Sequence, residues 1–238
     1  AQEGARVAVV ARRREVLERA AQEVRQATEG SVLPIAADVS RREDCQRIVD
    51  ATLQAFGAID ILVNNAGTSA ARPFEEVSDE EWEADFALKV WPAIRLTRLC
   101  VPHMRQRGGG RVINVTNLAA KAPGASSVPT SVSRAAGIAL TKALSKDLAK
   151  DGILVNTVCI GLIKSGQHER RYERLKAQNP GLTLEEFYAQ MAKQRGIPVG
   201  RVGEGHEAGD IIVFLASERA SYISGVAINI DGGASPVV

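Results

Sequence analysis

The chain has 238 residues, 45% of them apolar and 24% charged, with a formal net charge of +2, proportions that exclude a disordered or fibrous protein. Both signs of charge are mixed along the chain without a block of either, so there is no electrostatic footprint for nucleic acid. No apolar run approaches the roughly 20 residues that span a bilayer, and no charged-then-apolar leader opens the sequence, so neither a membrane partner nor export is expected.

Short β-branched runs alternate with amphipathic stretches, the pattern of βαβ units around a parallel sheet. An aromatic share of only 4% suits buried strands covered by Ala-rich helices. Residues 6–11 read as a strand, and 12–28 as a helix with Val16, Leu17, Ala20, Ala21 and Val24 on one face and Gly30 as its stop. A strand over 32–37 precedes a helix that Ser40 is expected to cap and that runs to Phe56, with Cys45, Ile48, Val49 and Leu53 inward. Residues 60–64 form a third strand. Ser78 and Glu81 make a capping box for a long helix towards Arg107, with bends expected at Pro92 and Pro102. After Gly108-Gly109-Gly110 come a fourth strand (111–115), a Pro/Gly/Ser/Ala-rich loop (119–129), a helix (132–150) and a fifth strand (154–159). The charged segment 164–195 carries helical pieces divided at Pro180-Gly181, and a helix (207–216) and a strand (226–230) complete the chain. With no repeat or linker, residues 1–238 read as one domain. Cys45, Cys100 and Cys159, like His103, His168 and His206, fall in no disulfide or ligand spacing, which points to a reducing cytoplasm and to no metal.

Asn64-Asn65-Ala66-Gly67 directly follows a strand. Its small residues let backbone approach a flat ligand, and its amides are placed to tie neighbouring strands. Together with Asp38-Val39, Arg111-Val-Ile-Asn-Val115, Arg201-Val-Gly203, Phe214-Leu-Ala-Ser217, Tyr222-Ile-Ser-Gly225 and Asp231-Gly-Gly233, in that order and spacing, it resembles the short-chain dehydrogenase/reductase family. The resemblance covers nearly the whole chain.

It implies a three-layer α/β/α, Rossmann-type doubly wound parallel sheet with a dinucleotide across the carboxyl ends of its strands. By motif position, Asp38 and Val39 border the adenine, Asn65, Ala66 and Gly67 the adenine ribose, and Gly161 and Ile163 the nicotinamide carboxamide. At the end of the strand whose acidic residue would bind the ribose of NAD stands Ala11, followed by Arg12, Arg13 and Arg14, which favours NADP(H) over NAD(H). The resemblance also implies a further strand and a glycine loop ahead of Ala1. That strand would lie between 6–11 and 60–64, and without it backbone groups in the sheet go unpaired.

The family's catalytic positions fall on other residues. Aligning Ser133-Arg-Ala-Ala136 with the family's Ser-Lys-Ala-Ala places Thr130 at its Tyr, Arg134 at its Lys, Asn117 at its Ser and Lys89 at its Asn. A phenol near pKa ~10 can be tuned as an acid by a neighbouring cation, whereas threonine is an aliphatic alcohol that donates a hydrogen bond and makes a poor general acid. Arg134 can bond ribose hydroxyls and Asn117 can donate to a carbonyl oxygen. Tyr172, Tyr188, His168 and Lys121 are further candidate donors, and 164–195 is expected to act as a lid over the substrate. The expectation is an atypical NADP(H)-dependent oxidoreductase of a small carbonyl or alcohol, forming a homodimer or homotetramer. The alternative is a catalytically inactive protein of the same fold serving as a ligand sensor or assembly subunit.

Overall fold

The computed structural model describes residues Ala1–Val238. Six parallel strands, β1 (Val7–Ala11), β2 (Val32–Ala36), β3 (Ile61–Asn64), β4 (Gly110–Asn117), β5 (Ile153–Ile160) and β6 (Ala227–Ile230), alternate with seven helices. These are α1 (Arg14–Thr28), α2 (Arg42–Phe56), α3 (Asp79–Gln106), α4 (Thr130–Asp147), α5 (Gly166–Gln178), α6 (Leu184–Gln194) and α7 (Gly205–Ala216). The result is a single-domain, Rossmann-like α/β architecture: the alternating pattern implies its parallel βαβ units, and the family resemblance its Rossmann type.

Period-two alternation on the central strands divides the core between two faces. Val112 of β4 and Ile153 and Val155 of β5 point into a layer closed by Ile48 of α2 and by Leu96, Cys100 and Met104 of α3. Ile113 and Val158 point the other way, against Leu215 of α7 and Ala220. Gly110 starts β4 because a Cβ there would meet Met104 side-chain atoms at 2.7 Å, so the chain can turn from α3 into the sheet only with glycine.

Hydrogen bonding divides the sheet as β1-β2 and β3-β4-β5-β6. β1 pairs only with β2, and β3 only with β4, so one edge of each lacks ladder partners at the position where the family resemblance implies a further strand. Ile61 and Val63 on β3 are exposed there. Both sheets still share one core, since Ala8, Val10 and Leu62 pack on the same cluster.

Several local expectations need correction. On α1 only Leu17 and Ala21 are buried; Val16, Ala20 and Val24 stay exposed. The helix stops not at Gly30 but at Glu29, which takes the left-handed conformation at φ 53°. Ser40 does not cap α2; its backbone N–H and hydroxyl both donate to Asp38 Oδ1, at 3.0 and 2.7 Å, and Arg41 occupies the cap position without a side-chain bond. The Ser78–Glu81 capping box is present, and α3 runs unbroken through Pro92 and Pro102 for 28 residues. Thr183 and Glu186 form a second capping box that starts α6 after the Pro180-Gly181 break.

Leu215 has no exposed surface, and truncating it opens a cavity where α7 meets β4 and β5. Leu215→Ala is expected to cost about 2–5 kcal/mol. A calorimetric scan should show Tm falling by roughly 4–20 °C, at about 2–4 °C per kcal/mol for a domain of this size.

Candidate active site

Four chain segments meet at the carboxyl end of β4: the turn after β3, the middle of α3, the end of β4 and the first turn of α4. Asn64 Nδ2 donates to Asn114 Oδ1 at 2.9 Å, and Asn114 Nδ2 donates to Thr141 Oγ1 at 2.8 Å, which ties β3 to β4 and β4 to α4. The strand-tying role expected of both amides therefore falls to Asn64 alone. Asn65, Ala66 and Gly67 are exposed beyond it.

A Cβ at Gly67 would overlap the guanidinium of Arg134, so this side chain lies directly against the turn after β3. Arg134 is anchored by Nη1 donating to the Val115 carbonyl at 2.5 Å, while its buried Nε has no partner. Asn117, at the end of β4 and in register with Ile160, likewise has a buried Oδ1 without a partner. Buried polar atoms are seldom left unpaired, and two such atoms at one strand end mark where a ligand would complete the bonding.

Lys89 and Asp85 form a buried ion pair on successive turns of α3, with side chains only 1% and 2% exposed. Lys89 Nζ also donates to Thr130 Oγ1 at 3.1 Å, and Ser133 Oγ donates to Asp85 Oδ2 at 2.6 Å. The Ala70 N–H donates to Thr130 Oγ1 at 2.9 Å, drawing the turn after Gly67 onto α4. Burial pushes the Lys89 ammonium down from its ordinary range; Asp85 pulls it back up, and the charge of Arg134 adds to the lowering. The structure thus brings Lys89 onto Thr130, and Arg134, one turn further along α4, against Gly67. Asp85 and Ala70 join these contacts without having been singled out in the sequence, and Ser133, read there only as the anchor of the motif alignment, does too. For Asp85 and Ser133 the signal was spacing: Asp85 and Lys89 lie four apart, and Thr130 and Ser133 three apart.

At the other end of the cleft, Ser40 donates to Asp38 and the Arg12 charge lies nearby, and both hold the Asp38 carboxyl below its usual range. Arg12 and Arg13 are exposed. Val39 is buried and its carbonyl accepts from Cys45 Sγ at 3.2 Å. Gly161 lies against Asp231, where a Cβ would come within 2.7 Å of the Asp231 Cβ, and its N–H donates to the Ile230 carbonyl at 2.8 Å. Ile163 bridges to Gly203 and, with Arg201, Glu207 and Asp231, lines a cavity of about 150 Å³.

Of the other candidate donors, Lys121 is committed to the Ala227 carbonyl and Asn229 Oδ1, at 2.6 and 2.7 Å, and Tyr172 donates to the Leu182 carbonyl at 3.2 Å. Tyr188 Oη and His168 Nδ1 are buried without partners on α6 and α5, their rings 6.5 Å apart. No helix is long and apolar enough to cross a membrane.

The sequence family described as enoyl-(acyl carrier protein) reductase matches residues 1–235. Dehydrogenase/reductase SDR family member 4 of Oryctolagus cuniculus is 37% identical over 238 residues, covering 98% of this chain and 85% of the relative. L-sorbose reductase from Gluconobacter frateurii, solved with NADPH and L-sorbose, superimposes with a TM-score of 0.93 at 34% identity, covering 100% of this chain and 89% of that one. An NADPH-bound short-chain oxidoreductase from Pseudomonas aeruginosa PAO1, described as containing an atypical catalytic center, gives a TM-score of 0.91 at 33% identity over 99% of this chain and 89% of its own.

Beside the cavity, Arg201 clamps Glu207 with two bonds, at 2.8 and 2.6 Å, which together with the Glu204 N–H hold the Glu207 carboxyl down at about 2. Because this value lies below the ordinary 4.5, the pair stabilises the fold fully above that pH and loses its contribution as pH falls through about 2. Urea titrations should therefore show Glu207→Gln less stable than the natural chain at pH 7, with the difference closing by about pH 2.

Proposed function

The chain belongs to the short-chain dehydrogenase/reductase family of NAD(P)-dependent oxidoreductases, and from that premise we propose that it reduces a small carbonyl compound with NADPH. Its reacting centre is Asn117, Thr130, Arg134 and Lys89. One observation carries this reading: at the four positions where the family pattern places its catalytic groups, polar side chains stand, with Lys89 bonded to Thr130 and Arg134, one turn further along α4, against Gly67. A fold kept only as scaffold has no need of a buried lysine, a half-buried arginine and two buried unpaired polar atoms at one strand end.

The cofactor fits the residues present. The unpartnered Arg134 Nε suits a donor to the nicotinamide ribose hydroxyls. Asp38, Val39, Asn65, Ala66 and Gly67 would border the adenosine half, and Gly161 and Ile163 the nicotinamide. When bound, NADPH supplies a hydride. Three features support NADPH over NADH: the absence of a carboxylate at Ala11, the exposed Arg12 and Arg13 beside it, and the NADPH bound by the sorbose reductase and by the Pseudomonas relative. Asn117 donates to the substrate oxygen, and α5 with α6 (164–195) closes as a lid over it. The whole chain acts as one domain. The exposed Trp91 on α3 and Val132 on α4 suit a homodimer or homotetramer built through those helices. The buried free thiols of Cys45, Cys100 and Cys159 accord with a cytoplasmic enzyme.

Titrating the full-length protein with NADPH and following cofactor fluorescence and absorbance against a panel of small ketones and aldehydes tests this. Saturable binding with turnover of at least one carbonyl is expected. The triple variant Asn117→Ser/Thr130→Tyr/Arg134→Lys supplies the contrast. If only that variant reduces a carbonyl while the natural protein binds NADPH silently, the natural protein is a binding protein and not a reductase.

A further inference from the structure

Threonine at the centre leaves open where a substrate proton comes from, and the surroundings of Thr130 limit the answer. A hydroxyl oxygen has two acceptor positions and one hydrogen to give. Both acceptor positions of Thr130 Oγ1 are filled by donors, the Ala70 N–H at 2.9 Å and Lys89 Nζ at 3.1 Å. Its own hydrogen is left to donate to whatever enters beside it. Asp85 is fixed at both oxygens, one taking Lys89 and the other the Ser133 hydroxyl at 2.6 Å. The carboxylate therefore holds the ammonium on Thr130 and does not compete for the Thr130 hydrogen.

We propose that Lys89 is the proton reservoir of this centre and Thr130 its relay, with Asp85 and Ser133 as positioning residues. The inference rests on the reductase reading. As the substrate's carbonyl carbon accepts hydride, a C–H bond forms and the C=O π pair moves to oxygen. That oxygen takes the hydrogen of the Thr130 hydroxyl, breaking its O–H bond, while Thr130 Oγ1 takes a proton from the Lys89 ammonium, which becomes an amine. Threonine gains a proton as it loses one, so it never carries the charge of an alkoxide. The amine regains its proton from solvent when the product leaves.

Acidity makes the pairing sensible. In water a phenol loses its proton near pH ~10 and a lysine ammonium near ~10.4, so Lys89 matches in acidity the tyrosine that the family pattern has at position 130. Burial lowers Lys89 further, and Arg134 on α4 acts in the same direction, against the opposing pull of Asp85 on α3 itself. Ala70, from the turn packed above, brings no charge. Lys89 supplies the acid and Thr130 supplies the place on α4 from which it is delivered.

Lys89→Arg in the full-length protein separates charge from proton release, because guanidinium keeps the cation and the donors but does not give up its proton. With NADPH and a carbonyl substrate at saturation, kcat should fall at least about 100-fold, the low end for loss of a general acid, while the NADPH Kd stays within about threefold. The natural protein's kcat should decline as pH rises through the Lys89 pKa, and that limb should vanish in the variant. A readout without cofactor comes from lysine labelled with ¹³C at Cε: the resonance missing in Lys89→Arg should titrate at lower pH than the exposed lysines. If Lys89→Arg fails to fold, Lys89→Met/Asp85→Leu, which removes both buried charges together, takes its place with the same expected loss. An active natural protein matched by Lys89→Arg in rate and pH profile, or a Lys89 resonance titrating with the exposed lysines, overturns the relay and leaves the reductase reading standing. A natural protein that binds no NADPH and reduces no carbonyl overturns both.

Discussion

A lysine and an aspartate withdrawn from water on one face of α3 have to be satisfied by the helix they pack against. Desolvating two charges costs several kcal/mol per ion unless their remaining donors and acceptors are filled. Here Thr130 and Ser133 of α4 fill them. That demand fixes the register of α3 against α4, and with it the height at which α4 crosses the end of β4. Arg134, one turn further along α4, is then delivered to Val115 and Gly67. The Ala70 N–H closes the turn after β3 onto the same threonine. The geometry of the candidate centre follows from neutralising one buried ion pair.

The layered fold was legible because its signals are strong and local. Alternation on β4 and β5 survives intact as Val112 and Val155 on one face and Ile113 and Val158 on the other, and the Ser78–Glu81 box starts α3 where its spacing places it. Features that depend on neighbours were less legible. Val16, Ala20 and Val24 share an apolar face with Leu17 and Ala21, yet which of them is buried depends on what else packs on α1. Ser40 has the chemistry of a cap, but Asp38 two residues earlier competes for its hydroxyl and wins. Asn64 and Asn65 are chemically identical, and only the strand register decides that the first reaches Asn114.

The candidate site was legible as positions more than as interactions. Motif spacing assigns Lys89, Asn117, Thr130 and Arg134 to the family's catalytic positions, but nothing in a linear sequence shows that Lys89 turns towards α4 and not towards solvent. Asp85 looks like an ordinary helix-face carboxylate four residues before a lysine, a spacing far more common on solvated surfaces. Its role follows from burial, which tertiary packing creates. The same holds for Lys121, whose sequence position suggested reach into the cleft and whose ammonium is committed to β6. Tyr172 is likewise committed, to the turn before α6.

These constraints connect one buried pair to the candidate centre of a chain that belongs to the short-chain dehydrogenase/reductase family of NAD(P)-dependent oxidoreductases. The most direct measurement follows the hydrogen itself. The full-length protein is incubated with NADPH deuterated at the transferring position and a small ketone, and the alcohol is analysed by mass spectrometry. The account predicts an alcohol with one deuterium on its carbinol carbon. Bound NADPH that stays fully deuterated, with no labelled alcohol from any carbonyl offered, would contradict it.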